Sequence, residues 1–186
     1  MTQWEKMISG QNYDAQDPEL DALRRWAEAL CHQLSLLSPH QEEQRQVLLR
    51  ELLGAAGKDL SIRPGFWCDY GSNITVGDCF YANYNLVILD CAPVRFGSHV
   101  FVGPNCGFYT AGHPMLVSTR RQGVEFAKPI TVGDDVWFGG NVTVLPGVTI
   151  GNGAVIAAGS VVTRDIPAGM LAAGCPCRPI RPAGEA

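Results

Sequence analysis

The chain has 186 residues, a length that suits one domain with a small accessory element. Hydrophobic residues make up 46% of it, enough for a sizeable core, and the net charge of −4 leaves no basic surface of the kind that binds nucleic acid. No apolar run approaches the roughly 20 residues that a membrane-spanning helix needs, so we expect no membrane partner.

The N-terminal residues and the cysteines indicate a compartment. Residues 1–10 lack the apolar segment of a signal peptide, so we expect a cytoplasmic protein. The seven cysteines are an odd number, and we expect them to be reduced thiols. Cys175 and Cys177 form one Cys-x-Cys pair without a second pair at zinc-site spacing, so we interpret them as residues of a C-terminal turn.

Residues 1–57 are predicted to form a helical cap. Asp17, Pro18 and Glu19 are typical of a helix start. The apolar stripe that follows consists of Leu20, Leu23, Ala27, Leu30 and Leu34. A second helix is predicted to start with a capping box at residues 38–41, to end at Gly54 and to bury Val47, Leu48, Leu52 and Leu53. Because two such helices cannot bury both stripes alone, we expect them to cover the strand edges of the next domain.

Residues 58–186 are predicted to form that domain, and most of them follow a six-residue repeat. One apolar series has three runs: Val76, Ala82 and Ile88; Phe96, Val102 and Phe108; then Val132, Phe138, Val144, Ile150, Ile156 and Val162. A second lies two positions earlier: Ile74, Phe80, Leu86, Val94, Val100, Ile130, Val136, Val142 and Val148. Such a period is typical of a hexapeptide β-helix, in which three hexads close one triangular coil. The predicted fold class is mainly β, a parallel β-helix with a helical cap and a C-terminal tail.

The repeat is interrupted at two places. Two extra residues separate the first run from the second, near Asp90 to Pro93. Residues 109–129 have no hexad pattern, yet the repeat resumes in phase after them. We therefore expect an excursion loop from the β-helix, and an irregular segment of this length in a compact domain is usually functional.

His113 is the candidate catalytic residue of this loop, because a neutral imidazole is the natural general base near pH 7. An ordinary loop histidine would also fit the position. His32 and His40 fall in the helical cap, and His99 is expected at a solvated corner of the repeat.

Two further groups of residues suit ligands. The first is a polar cluster of Asp69, Asn83, Asn85 and Asp90, with Tyr70, Tyr81 and Tyr84 between them. These residues suit either the binding of sugar hydroxyls or simple turn formation. The second is basic and consists of Arg164, Arg178 and Arg181, which suit either phosphate binding or a solvated surface.

Six short motifs form a recognisable set. They are Cys68-Asp69-Tyr70-Gly71, Tyr81-Ala82-Asn83-Tyr84-Asn85, Gly112-His113-Pro114, Lys128-Pro129-Ile130-Thr131-Val132-Gly133, Val136-Trp137-Phe138-Gly139-Gly140 and Ala172-Ala173-Gly174-Cys175-Pro176-Cys177-Arg178. With Tyr13-Asp14 and the paired helices, they make nearly the whole chain resemble the sugar O-acetyltransferases of the maltose and galactoside type. Hexapeptide repeats alone indicate only a superfamily, whereas the helical cap with Gly-His-Pro is much more specific.

The resemblance implies a left-handed β-helix, a homotrimer with active sites between subunits, and acetyl-CoA as co-substrate without a metal. It implies transfer of acetyl to a hydroxyl of a sugar such as maltose or glucose, with His113 as general base. The substrate-binding positions that it implies are Asp14, Asp69 and Asn83. The coenzyme A-binding positions that it implies are Asn83, Trp137, Gly140, Ala158, Thr163, Arg164, Arg178 and Arg181. The backbone N–H of Gly140 is the candidate donor to the oxyanion.

One departure and several alternatives remain open. Cys91 stands where galactoside acetyltransferases have a second acid after the one matching Asp90, and residues 125–129 are closer to the maltose branch. Both features argue against a galactoside acceptor. The alternatives are a hexapeptide acetyltransferase that acts on an antibiotic or serine, and a non-catalytic β-helix scaffold. A carbonic anhydrase with this fold needs three histidines per site, whereas the repeat region contains only His99 and His113.

Overall fold

The computed structural model describes residues 1–184 and consists of short helices followed by a parallel β-helix. The helices are α1 (Gln3–Ile8), α2 (Pro18–Leu36), α3 (Glu42–Leu52) and α4 (Val117–Arg120). Within the described residues, no helix is long and apolar enough to cross a membrane.

Three sheets form the faces of the β-helix, and we number all strands in chain order. Sheet I contains β2 (Ala55–Ala56), β5 (Ile74–Val76), β8 (Val94–Phe96), β13 (Ile130–Val132) and β16 (Thr149–Ile150). Sheet II contains β3 (Ser61–Ile62), β6 (Tyr81–Ala82), β9 (Phe101–Val102), β14 (Trp137–Phe138), β17 (Val155–Ile156), β19 (Met170–Gly174) and β20 (Cys177–Pro182). Sheet III contains β4 (Trp67–Cys68), β7 (Val87–Leu89), β10 (Gly107–Tyr109), β15 (Thr143–Val144) and β18 (Val161–Val162). A fourth, small sheet consists of β1 (Tyr13–Asp14), β12 (Val124–Ala127) and β11 (Ala111–Gly112).

The strand register confirms the predicted coil length. Thr131 pairs with Thr149, which lies three hexads further along the chain. Thr75 pairs with Arg95, a step that is longer than three hexads because it includes the extra residues at Asp90 to Pro93. Arg95 pairs with Thr131, a step of six hexads, so the excursion adds the length of one whole coil and leaves the register intact. Every residue of both predicted apolar series is at most 6% exposed, so the series form the core.

The corners of the coils use the left-handed backbone region. His99 has a φ of 57°, and Cys79 and Asp135 occupy the equivalent positions of neighbouring coils with φ of 57° and 58°. His99 is therefore a corner residue, as expected. Asn85, with a φ of 62°, lies at another corner, and its Nδ2 donates to Asn105 Oδ1 at 2.9 Å. Asn85 thus serves turn formation and the stacking of coils.

The helical cap differs from the prediction in detail. Helix α2 starts as expected, since Asp17 Oδ1 accepts the N–H groups of Glu19 and Leu20. The predicted capping box at residues 38–41 forms in part, since the Ser38 N–H donates to Gln41 Oε1 at 2.8 Å. The helix does not start there, because these residues close a turn in which the Gln41 N–H donates to the Ser38 carbonyl. Helix α3 therefore begins at Glu42 and ends at Leu52, before Gly54.

Two residues predicted to be buried in the cap are exposed, and one helix was not predicted. Val47 is 64% exposed because α3 packs through Leu49 and Leu52, which lie on the opposite face. Leu23 of α2 is also exposed. Helix α1 has a capping box formed by Thr2 and Glu5 that sequence reasoning did not identify.

The cap covers the first coil, as expected. The core cluster that contains Leu60, Ile62 and Phe66 of that coil also contains buried leucines of α2 and α3, namely Leu30, Leu34, Leu49 and Leu52. Gln46 Nε2 donates to the Leu60 carbonyl at 2.8 Å, and the Arg50 guanidinium donates to the carbonyls of residues 56 and 57 at 3.0 Å. These bonds satisfy carbonyl groups on the edge of the β-helix that would otherwise lack partners.

The C-terminal tail is a paired strand. Strand β20 runs antiparallel to β19, with Leu171 opposite Arg181 and Ala173 opposite Arg178. Cys175 is exposed between the two strands, and Cys177 is buried. The interpretation of these two cysteines as turn residues agrees with their positions at this hairpin.

Candidate active site

The excursion loop is an ordered hairpin that returns to the N-terminus of the chain. Strand β12 lies between β11 and β1 and is antiparallel to both, with Tyr13 opposite Glu125 and Gly112 opposite Phe126. A Cβ on Gly112 would approach the tip of the Phe126 ring to 2.7 Å, so a larger residue at this position would displace the ring. At the base of the loop, Thr110 Oγ1 donates to the Leu89 carbonyl at 2.6 Å. The loop is therefore attached to the β-helix and to the cap.

His113 directly follows β11 and faces β12. Its Nδ1 lies 3.2 Å from the backbone carbonyl oxygen of Val124. A carbonyl can only accept a hydrogen bond, so Nδ1 carries the proton of the neutral imidazole and Nε2 has the free lone pair. The side chain is 50% exposed, and Nε2 lies 3.7 Å from Glu125 Oε1. This arrangement suits a general base that acts through Nε2.

A chain of polar side chains continues from Glu125 into the protein. The Tyr13 hydroxyl donates to Glu125 Oε2 at 2.6 Å, and Cys91 Sγ donates to Asp69 Oδ2 at 3.3 Å. Burial, together with neighbouring Cys91, raises the pKa of Tyr13 far above its usual range, so the phenol stays a neutral donor. Burial likewise raises the pKa of the Cys91 thiol and that of the Asp69 carboxyl. Cys91, the departure from the galactoside pattern, is thus a buried thiol that holds Asp69.

The predicted substrate residues Asp14 and Asp69 both lie near His113. Asp14 pairs with Val124, whose carbonyl binds the imidazole, and its exposed carboxylate accepts the Gln16 N–H at 2.9 Å. Asp69 is connected to this region by its hydrogen bond from the Cys91 thiol. One group of predicted residues is therefore brought together around the small sheet.

Asp90 has a structural role in this region. Its side chain is fully buried, and Oδ1 accepts the N–H groups of Asp69 and Tyr70 at 3.1 and 2.9 Å, while Oδ2 accepts that of Asn73 at 3.3 Å. Burial raises the pKa of Asp90 to about 6, although these N–H groups oppose the shift. The buried carboxylate fixes the turn that presents Asp69.

A second group of predicted residues lies at the corner between sheets II and III. Gly140 and Ala158 occupy equivalent positions of adjacent coils, and the Gly159 N–H donates to the Gly140 carbonyl at 2.9 Å. Across residues 1–184, the backbone N–H groups of Gly140 and Ala158 have no acceptor. Asn83 lies at the same corner, and its Oδ1 accepts the Tyr84 N–H at 2.8 Å. Two free N–H groups on adjacent coils are preorganised donors for carbonyl or oxyanion oxygens.

An apolar groove runs past Gly140. It is lined by Tyr81, Asn83, Phe101, Pro104, Trp137 and Gly140, with nearby backbone. Trp137 and Phe101 are both more than half exposed and lie side by side on sheet II. The groove suits a long ligand with an apolar segment and few polar groups.

The remaining predicted residues lie at the last coil and the C-terminal hairpin. Thr163 and Arg164 directly follow β18 and are exposed. Arg178 and Arg181 are exposed on β20, where their Nη1 atoms donate to the backbone carbonyls of Cys177 and Pro182. These guanidinium groups are available to an anionic ligand on the surface.

A single chain does not bring the two groups of residues together. The loop with His113 leaves the β-helix at the corner between sheets III and I, whereas Asn83 and Gly140 lie at the corner between sheets II and III. Strand β7 runs from one corner to the other across sheet III.

No group of three or more His, Cys, Asp or Glu side chains among residues 1–184 is placed to hold a metal ion.

Sequence reasoning did not identify Glu125 and Tyr13 as residues that lie near His113. Tyr13 precedes Glu125 by 112 residues, and only the pairing of β1 with β12 brings them together. One signal was present in the sequence, since Glu125 is the only acidic residue of the predicted loop at residues 109–129.

Comparison with known proteins gives a consistent result over the whole chain. Residues 6–57 match the family model of the maltose acetyltransferase hexapeptide capping motif, and residues 129–164 match that of the bacterial transferase hexapeptide. The galactoside O-acetyltransferase of Escherichia coli strain K12 is 38% identical over 181 residues, which cover 97% of this chain and 89% of that protein.

Two solved structures superpose closely. A maltose O-acetyltransferase from Clostridium difficile 630 has a TM-score of 0.98 and 42% identity, covering 100% of this chain and 99% of the other. A galactoside acetyltransferase in complex with coenzyme A has a TM-score of 0.96 and 38% identity, covering 99% and 92%. The predicted fold class, a left-handed parallel β-helix with an N-terminal helical cap, is confirmed. The chain belongs to the hexapeptide-repeat acetyltransferases of the maltose and galactoside O-acetyltransferase type.

Proposed function

We propose that the protein transfers the acetyl group of acetyl-CoA to a hydroxyl of a sugar such as maltose or glucose, with His113 as the general base. The observation that carries this proposal is the geometry of His113, whose Nδ1 is bound to the Val124 carbonyl at 3.2 Å. Nε2 is thereby left free, on a half-exposed side chain, to accept a proton.

His113 acts on the acceptor. Nε2 takes the proton of the sugar hydroxyl while the hydroxyl oxygen attacks the carbonyl carbon of the thioester. The imidazolium that forms still donates Nδ1–H to the Val124 carbonyl, so the ring keeps its orientation throughout the step. The proton then passes to the departing sulfur of coenzyme A. The thioester is already an activated acyl donor, so the chain itself needs no nucleophile.

Gly140 and Ala158 are suited to bind the acetyl donor. The free N–H of Gly140 is a candidate donor to the negative oxygen that develops on the thioester carbonyl. The N–H of Ala158, one coil further on, can bind an amide carbonyl of the pantetheine arm, and Trp137 lines the same groove. Thr163, Arg164, Arg178 and Arg181 would contact the more polar end of the molecule, where the phosphates are. The related galactoside acetyltransferase that was solved with coenzyme A supports this assignment.

The acceptor would bind between the loop and the cap. Asp14 and Asp69 provide carboxylates near His113, and Asn83 provides an amide at the other corner. Carboxylates and amides are suited to sugar hydroxyls, which donate and accept hydrogen bonds. The name of the maltose O-acetyltransferase relative supports a sugar acceptor.

The active site would be completed by a second copy of the chain in a homotrimer. His113 and Gly140 lie at different corners of one β-helix, so a neighbouring subunit is needed to bring one group opposite the other. The outward rows of the sheets differ in character. Sheet I exposes Thr75, Arg95, Thr131 and Thr149, whereas sheet II presents Tyr81, Phe101, Trp137 and Val155. An exposed apolar row of this kind is typical of an interface.

The test is an assay of coenzyme A release. Purified protein is mixed with acetyl-CoA and a panel of monosaccharides, disaccharides, antibiotics and serine, and the free thiol is measured. We expect turnover with a sugar, and NMR of the product should show an O-acetyl group. Turnover only with an antibiotic or serine would replace the sugar acceptor, and no turnover with any acceptor would favour the scaffold alternative.

A further inference from the structure

His113, the proposed general base, lies close to a second hydrogen-bond acceptor, the carboxylate of Glu125. His113 Nε2 and Glu125 Oε1 are 3.7 Å apart. Nε2 carries a lone pair in the neutral imidazole, and a carboxylate oxygen can only accept. Within residues 1–184, no N–H or O–H group donates to Glu125 Oε1. The two atoms therefore form an incomplete pair that requires hydrogen-bond donors from a ligand.

Glu125 is held in this position by the protein. The Tyr13 hydroxyl donates to Oε2 at 2.6 Å, and Tyr13 itself is 2% exposed. Tyr13 and Glu125 are direct partners in the register of β1 and β12. The side chain of Glu125 is only 23% exposed, so Oε1 has a fixed direction toward the imidazole.

The position of Glu125 distinguishes it from a carboxylate that orients the base. Such a carboxylate contacts the imidazole nitrogen that does not react. Here that nitrogen is Nδ1, and it is already bound by the Val124 carbonyl. Glu125 instead lies beside the reactive nitrogen, where the acceptor must enter.

We propose that Glu125 Oε1 accepts a hydrogen bond from a second hydroxyl of the acceptor, next to the hydroxyl that His113 deprotonates. The inference rests on the proposed sugar acetylation and specifies which acceptor molecules the site prefers. The preferred acceptor is a diol, in which one hydroxyl donates to Nε2 and its neighbour donates to Oε1. A lone alcohol leaves Oε1 without a donor, and an acceptor with a carboxylate beside its hydroxyl, such as serine, is repelled by Glu125.

The test combines deoxy sugars with variants of Glu125. NMR first identifies the acetylated position of the best sugar acceptor. kcat and KM are then measured for that sugar and for each analogue that lacks one other hydroxyl. In the wild-type protein, loss of the neighbouring hydroxyl should lower kcat/KM about 10- to 100-fold, the usual effect of a hydrogen bond to a charged group. Glu125→Ala should lower kcat/KM for the full sugar to a similar extent. Its kcat/KM values for the full sugar and for the analogue without the neighbouring hydroxyl should be nearly equal.

A structural role of Glu125 would give a different pattern, because it would lower the rates for all sugars and preserve the ratio between them. Glu125→Gln provides an isosteric variant. Its carbonyl oxygen would accept from Tyr13, so its amide nitrogen would replace Oε1 and could not accept from a hydroxyl. For Glu125→Gln, kcat/KM should therefore also be nearly equal for the full sugar and for the analogue without the neighbouring hydroxyl. Glu51→Ala, at an exposed position of α3, is the matched control and should leave the ratio unchanged.

The outcomes separate the inference from the proposed function. If both Glu125 variants keep the wild-type ratio, or if the wild-type protein accepts every deoxy analogue within about twofold, Glu125 does not bind a second hydroxyl, while sugar acetylation still stands. If the wild-type protein acetylates no sugar, the proposed function is wrong and this inference is wrong with it.

Discussion

Replacing Asp90 with asparagine should change how the stability of the protein depends on pH. Asp90 is fully buried, and burial raises the pKa of its carboxyl in the folded protein from 3.8 to about 6. In the unfolded chain the carboxyl regains its ordinary pKa. The charged form is therefore less favourable in the folded state than in the unfolded state. The contribution of Asp90 to stability is complete below about pH 4 and is lost as the pH rises through about 6.

The size of the loss follows from the difference between the two pKa values. A rise in the pKa from 3.8 to about 6 corresponds to about 3 kcal/mol. Asparagine has no charge to lose, so the free energy of unfolding of Asp90→Asn should lack this decline. The difference in unfolding free energy, wild type minus variant, should fall by about 3 kcal/mol between pH 4 and pH 7 and stay constant above pH 7. The test uses the change of this difference with pH. Its absolute value also includes the energy of the contact between the new amide and the Asn73 N–H.

The assay is urea unfolding followed by fluorescence at several pH values and one fixed protein concentration, since assembly couples to stability. Glu51→Gln removes one exposed carboxylate of α3 and shows how far the loss of a surface charge alone alters the slope. A difference between wild type and Asp90→Asn that stays flat from pH 4 to pH 7, or that rises with pH, would refute the reasoning. Asp90 would then be a carboxylate whose backbone N–H partners outweigh its burial.

Three further predictions concern the proposed activity. His113→Ala should lower kcat by roughly 10²- to 10⁴-fold while folding and coenzyme A binding persist, as judged by calorimetry, and a variant that retains more than about a tenth of the turnover would remove His113 from the mechanism. Replacing Arg178 and Arg181 together by alanine should raise KM for acetyl-CoA in a salt-sensitive way, with little change in kcat or in sugar KM; unchanged kinetics would make both residues ordinary surface arginines. Static light scattering should give about three times the chain mass of 20.1 kDa, and a monomer at micromolar concentration would contradict the shared active site.

The repeat was predictable from sequence because its information is local. Each anchor residue, such as Phe108 or Phe138, is apolar at a fixed distance from the next, and each is fully buried in the structure. The same periodicity showed that residues 109–129 leave and re-enter in register. Helix α2 was equally accessible, since Asp17 and Pro18 act within one turn of the helix that they start.

The surroundings of His113 were not predictable in this way. The carbonyl that fixes its tautomer belongs to Val124, eleven residues further on, and depends on the pairing of β11 with β12. The Tyr13 hydroxyl that holds Glu125 comes from the other end of the chain. Neither contact repeats, so no period records it. The resemblance to sugar acetyltransferases indicated His113 itself, but not the atoms that orient it.

The irregular coils of the β-helix follow one another directly. The register steps from Ala55 to Thr75 and from Thr75 to Arg95 are both longer than the three hexads of a regular coil. The next step, from Arg95 to Thr131, spans six hexads. In each of these coils the extra residues follow a strand of sheet III and precede a strand of sheet I.

These irregularities explain why the loop that carries His113 lies where it does. The first two insertions form the turns around Asp69 and Asp90, and the third carries His113. Because the coils stack in register, all three insertions lie at one corner of the β-helix. A fold with almost no reactive groups in its regular part thus gains a polar site where its period fails. A search for such sites in other hexapeptide proteins should therefore begin at stacked insertions and not at the repeats themselves.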